Sequence, residues 1–361
     1  LIHIAVVRAT YRTIVTAGLP LGQRMTDPTR GWYTARVRLA DVTAGYPHLP
    51  PLDPTTVFTG WTADLPTIVF VALLGYCYVA AVRRYSQVTG SRWPRSRNVA
   101  FGAGLVLIAL TGLSFLGRYA DTLFWVRAAD VIISLMVVPL CLALSSPVAL
   151  ALATLPAGGE QRLRRVLGGG TARVLTFPAT ASLLLVATPW ALYFTGWYPA
   201  VLTNGVADHL TRLALLLVGF LYFYSRLQLD PVPHKYPHMI SVVITFVEVI
   251  FDAALGLVLW LNPHLVAEAY YQAVGRTWGP TLRDDQIFGA GVLWLVGDLA
   301  GLPFLGALMK RMAHDDAIEA AEIDQRLDEQ EAADTEAPDA RPRLWWEDDP
   351  VLAQRFRRTG R

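Results

Sequence analysis

Long apolar runs recur along this chain, each divided from the next by a short stretch of charge, proline or glycine. Crossing the hydrocarbon core of a bilayer takes a helix of about 20 apolar residues. Seven runs come to about that length, at 65–83, 98–117, 122–146, 174–196, 206–226, 239–261 and 286–309. They are apolar on most faces, which suits lipid contact better than a one-sided soluble helix. Pro139, Pro178, Pro189 and Pro303 lie inside runs without ending them, because neighbouring helices can satisfy the freed backbone groups. The pattern predicts an all-α, polytopic membrane protein, a seven-transmembrane helix bundle over 61–310.

The flanks read differently. Within 1–60, the stretch 2–21 is moderately apolar but broken by Arg8 and Arg12. It fits an interfacial helix, the end of a longer segment, or a secretory signal, and the first is favoured. The proline-rich 47–56 reads as an extended linker. Beyond the bundle, 311–361 opens with an acidic, alanine-rich stretch over 313–337 that reads as a solvated helix. A short element from Trp345-Trp346 and a basic end at 355–361 follow; this end either docks on the inner membrane surface or stays disordered.

Composition agrees with the pattern: 53% hydrophobic and 17% charged residues, with mean hydropathy +0.38. The net charge of +2 selects no partner. The distribution of Lys and Arg is more telling. Arg83, Arg84, Arg92, Arg95 and Arg97 fill the first connection, Arg162, Arg164, Arg165 and Arg173 the third, and Arg226 and Lys235 the fifth. Lys310-Arg311 begins the tail. The other connections hold only Arg118, then none in 196–205, then Arg276 and Arg283. The expectation is a multi-pass protein of a bacterial plasma membrane, N-terminus outside and C-terminus cytoplasmic. Trp197, Tyr198, Tyr270, Tyr271 and Trp278 then sit on outward loops, as suits an interfacial belt.

Ionisable residues inside the runs gather toward that outer side. Arg127 and Asp130 are in the third, and Asp208, His209 and Arg212 in the fifth. Glu248 and Asp252 lie in the middle and outer half of the sixth. Asp285 and Gln286 open the seventh, with Asp298 near its middle. A charge at the bilayer centre costs about 2.5–3.5 kcal/mol on insertion scales unless paired or hydrated. Arg127 alone has two readings, a snorkelling side chain or part of a polar site. The one-sided grouping favours the site, a charge-paired outward-facing cavity between the third, fifth, sixth and seventh spans. Glu248 and Asp252 are i, i+4 and repel each other. Arg127 and Arg212 are the cations at comparable depth, so Glu248 and Asp252 are their expected partners. His209 is the weak metal candidate, since His234 and His238 fall at the opposite end. Copper favours imidazole and sulfur ligands, so no cofactor is expected, with copper at His209 as the alternative. Cys77 and Cys141 read as small core residues. There is no CxxC, phosphate-binding loop or dinucleotide glycine pattern, and no nucleophile–base pair stands out. Neither an enzyme nor nucleic-acid binding is expected.

Several stretches in order resemble the CtaG-like assembly factors of cytochrome c oxidase. They are Thr59-Gly60-Trp61, Arg92-Trp93-Pro94 before Ala100-Phe101, and Leu123-Phe124 with Pro139 and Ser146-Pro147-Val148. Gly219-Phe220-Leu221-Tyr222-Phe223 with Leu229-Asp230-Pro231 follows, then Asp285-Gln286 with Gly289, Gly291 and Trp294. The resemblance covers about 58–310. It implies a seven-span bacterial protein that matures the oxidase or delivers copper to it, with membrane lipids and other membrane-protein subunits, cytochrome c oxidase among them, as partners. It also implies a His-Met-x-x-His type motif in the third span, where this chain has Arg127-Ala128-Ala129-Asp130-Val131. Closely spaced histidines are implied before Gly219, where this chain has Arg212-Leu213-Ala214 and only His209 one turn earlier.

Three functions are therefore weighed. The first is a metal-free assembly factor or accessory subunit of a membrane complex, linked to oxidase maturation. The second is an active copper chaperone with unusual ligands. The third is a transporter or a lipid- or anion-binding protein using the charged cavity, for which Arg127 and Arg212 are suitable groups.

Overall fold

The computed structural model describes residues 49–227 and 238–336. The expected 2–21 helix, the 345–361 end, Leu229-Asp230-Pro231, His234 and Lys235 lie outside the described residues. Every regular element among those described is helical. The chain divides into two compact units, Leu1–Gly306 and Ala307–Arg361.

The first helix corrects the linker expectation. Pro54–Thr59 (α1) is a short helix because Asp53-Pro54-Thr55-Thr56 is a start signal. The Asp53 side chain accepts from Thr56 N at 2.7 Å, and the Thr56 hydroxyl accepts from Asp53 N at 2.8 Å. Just before it, Leu49 and Leu52 pack on Tyr119, and Pro50 O accepts from the Tyr119 hydroxyl at 2.9 Å. This segment is seated on the bundle.

Leu65–Thr89 (α2), capped by Asp64 and stopped by left-handed Gly90, and Arg95–Leu113 (α3) form where the first two spans are expected. Phe115–Tyr119 (α4) extends the second. The third is Phe124–Ile132 (α5), a wider π turn over Ile133–Val137, and Val138–Leu144 (α6). The π turn precedes Pro139, which has no N–H to return to the Leu135 carbonyl. Val138 N instead bonds Ile133 O, five residues back. This span is the axis of the bundle. Of its most apolar stretch 83% is buried, against 11% for α2. The helix Gly205–Leu227 packs on it at Gly219. A Cβ at Gly219 would collide with the Leu135 carbonyl and come within 2.7 Å of Pro139 Cγ. Close approach at small residues is how helices associate where water provides no drive.

Pro147–Thr154 (α7), Ala157–Leu167 (α8) and Gly170–Leu175 (α9) make up the third connection. Ser146, ahead of Pro147, has a left-handed backbone at φ +52°. Pro178–Phe194 (α10) and Trp197–Thr203 (α11) meet at a 69° bend, so the expected fourth run passes at a sharp angle into a second helix. Gly205–Leu227 is α12, His238–Leu261 α13, Glu268–Val274 α14 and Leu282–Glu336 α15. In the second unit α15 is helical through Glu336. Among the described residues, four helices are long and apolar enough to cross a membrane, five if the bent pair is one span. Cys77 is exposed on α2, not in the core as expected; Cys141 is half-buried.

Candidate functional site

Arg127 comes from the second turn of α5 and is 2% exposed, as is Asp130 one turn on. The guanidinium bonds Asp208 of α12 through Nη1 and Asp121, just ahead of α5, through Nη2. Asp130 lies 3.6 Å from Nη1. Arg212, one turn after Asp208, closes the network. Its Nε donates to Asp208 at 3.0 Å, and its Nη1 to Asp130 at 3.1 Å and to the Thr111 carbonyl of α3 at 3.1 Å. Two arginines thus hold three aspartates from two packed helices and the loop before one of them. The Arg127 contacts are charge-assisted bonds, about twice as strong as neutral ones, and they anchor a charge that would be costly if left alone.

The arginines pair as expected, but with other acids. Glu248 and Asp252 are not their partners. Glu248 is buried on α13 and faces Arg226 at 3.4 Å and the Tyr222 hydroxyl at 2.8 Å, both from the last turns of α12. Arg226 lies 18 residues, about five turns, along α12 from Asp208, which holds Arg127. Arg226, counted among loop charges, is itself buried. Asp252 instead edges a small gap among Ile132, Leu135, Met136, Leu185 and Leu293. The expected single cavity is therefore at least two polar clusters. His209 Nε2 stands 3.6 Å from Asp64 at the edge of the network.

Asp285 does a separate task. Its carboxylate accepts from Phe124 N at 3.1 Å and Trp125 N at 3.0 Å, capping α5 from across the bundle. Leu123, the residue at the cap position, has no side chain that can do so. Arg276 steadies Asp285 at 3.3 Å. Gln286 accepts from Val266 N at 2.8 Å and donates to Leu259 O at 3.0 Å. Arg283 donates to the Asn262 and Trp260 carbonyls at the end of α13. These loop arginines are thus structural.

The outward aromatics also differ from expectation. Tyr198, Tyr270 and Tyr271 are buried rather than spread in a belt, while Trp197 and Trp278 are half-buried. Tyr198 and Tyr271 share a hydrogen bond of 2.8 Å and pack with Phe124 and Tyr193 beside α5. Burial pushes the Tyr271 hydroxyl well above the ordinary tyrosine range, so it stays neutral.

The donor set does not fit copper. The carboxylates are engaged by guanidinium groups, which cannot ligate a metal and repel a cation. The unpartnered buried atoms nearby are Arg127 Nε, a donor, and the Tyr193 hydroxyl. Among the described residues no group of three or more His, Cys, Asp or Glu could hold a metal ion. Asp121, Arg226 and Arg276 were missed in the sequence. Asp121 falls between predicted spans, and the other two resemble ordinary flanking charges.

Fold and site together define a helical membrane protein whose centre is a fixed arginine–aspartate network. Residues 76–315 match the family described as cytochrome c oxidase caa3 assembly factor (Caa3_CtaG), and the chain belongs to that family. An uncharacterized protein of Mycobacterium leprae is 27% identical over 308 residues, covering 83% of this chain and 47% of its own length. Uncharacterized proteins of Mycobacterium bovis and Mycobacterium tuberculosis are each 28% identical over 304 residues, covering 81% of this chain and 45% of theirs. The chain thus spans about half the length of the curated relatives it matches. No solved structure matches.

Proposed function

We propose that this chain acts in cytochrome c oxidase maturation as a membrane-embedded assembly factor or accessory subunit that binds no copper itself. Family membership supports the assembly role and a non-catalytic one. The observation that carries the metal-free reading is the state of Arg127 and Arg212. They stand where the family resemblance implies histidines, and both are committed to aspartates. An internal cation pair can hold the third and fifth spans in register. In this reading the bundle has seven spans, with α13 and α15 completing it. The N-terminus is outside and the C-terminus cytoplasmic, in a bacterial plasma membrane. The partners are lipids and oxidase subunits.

Gentle affinity purification of the full chain from membranes, followed by mass spectrometry, tests the role. Enrichment of cytochrome c oxidase subunits over unrelated respiratory proteins is expected. Recovery without any oxidase subunit, together with normal oxidase levels in cells lacking the chain, would overturn it.

A further inference from the structure

Arg212 spends Nε and Nη1 on Asp208, Asp130 and the Thr111 carbonyl, while its Nη2 bonds no described residue. Beside it a cleft of about 330 Å³ opens between α2, α3, the third span and α12. Phe70, Ile108, Val138, Leu213 and Leu216 form apolar walls, and Thr67, His209 and Arg212 stand at the end where α2 and α12 begin. Val206, Leu210 and Leu213 are exposed along its rim. The size is at the lower end of small-molecule sites, roughly 300–1,000 Å³.

We propose that this cleft is a fixed site for one zwitterionic phospholipid of the phosphatidylethanolamine type. An acyl chain lies between the apolar walls, and the head group lies at His209, Arg212 and Asp64. The inference uses the membrane reading but not the assembly role. Three observations carry it. The first is the free donor: Arg212 Nη2 is a guanidinium N–H suited to a phosphate oxygen. The second is spacing. His209 Nε2 is 3.6 Å from Asp64 Oδ1, the oxygen that does not cap α2, and beyond a hydrogen bond, so the imidazole and that oxygen are open to different parts of one head group. The third is charge. Arg127 and Arg212 face Asp121, Asp130 and Asp208, and Asp64 adds a fourth acid at the mouth. A head group of net negative charge meets repulsion there, whereas a zwitterion brings its own ammonium to Asp64.

Native mass spectrometry of the full chain tests this. The protein is delipidated in detergent and titrated separately with phosphatidylethanolamine, phosphatidylglycerol and an isoprenoid quinone. One phosphatidylethanolamine should bind about tenfold more tightly than phosphatidylglycerol, a difference of about 1.4 kcal/mol. Leu213→Trp, which fills the cleft from its exposed wall, should abolish that binding, and so should Val206→Trp at the rim. Leu217→Trp, exposed but off the cleft, should leave it intact. His209→Leu should erase the preference between the two phospholipids. Equal binding of both phospholipids by the unchanged protein, tighter binding of the quinone, or full retention in both cleft-filling variants would overturn the proposal.

Discussion

Arg212 reaches Asp208 on its own helix and Asp130 on the third span, so one side chain fixes two helices at a common height. Arg127 has three acids around it and is almost wholly buried. Removing it leaves the single charge of Arg212 against Asp130 and Asp208 and takes the guanidinium away from Asp121. Arg127→Ala should therefore lower stability by about 3–5 kcal/mol, the cost of breaking a buried pair, read as thermal unfolding in detergent. A double-mutant cycle separates the partners. Arg212→Ala and Asp130→Ala should couple by more than about 0.5 kcal/mol, whereas Arg212→Ala and Asp252→Ala should add within that amount. Additive losses for the first pair would contradict the network. The sequence showed the need for pairing, because an unpaired charge in lipid is expensive. It did not show the partners. Glu248 was placed at the arginines' depth, yet it meets Arg226, about four turns along α12 from Arg212, and Asp121 and Arg226 were hidden among loop charges.

At the scale of elements, the third span organises the rest through two contacts made from other helices. Gly219 admits α12 to the π turn, and Asp285 supplies the cap that Leu123 cannot. Gly219→Ala should cost about 1–3 kcal/mol or more, because a backbone carbonyl cannot move aside as a side chain can. Gly291→Ala, with open space around it, should be neutral or stabilise by up to about 1 kcal/mol. Equal effects at the two glycines would contradict the close helix contact. Asp285→Ala should cost about 0.5–2 kcal/mol for the lost cap, and Asp285→Asn less, since one acceptor oxygen remains. Equal melting temperatures for Asp285→Ala and the unchanged chain would remove the capping role. The helices themselves were readable from apolar length, and the Asp285-Gln286 and Gly219 stretches from the family resemblance. What those residues do was not readable, because Asp285 and Phe124 are 161 positions apart. The bend after Phe194 and the helix at Pro54–Thr59 were likewise set by local backbone chemistry that hydropathy does not register.

For the whole molecule, the proposed seven-span topology would put the Gly90–Pro94 turn on the cytoplasmic side. A Ser91→Cys variant should then resist an impermeant thiol reagent in intact cells and react once the membrane is opened; ready labelling from outside would reverse the orientation. Cys77 needs replacing first, since it is exposed. The central claim is that a fixed cation pair stands where the family resemblance implies histidines. It is tested most directly by measuring copper in the purified full chain after copper loading and removal of loosely bound metal. The account predicts well below one copper per chain, unchanged in His209→Ala. One tightly held copper per chain, lost in His209→Ala, would contradict it.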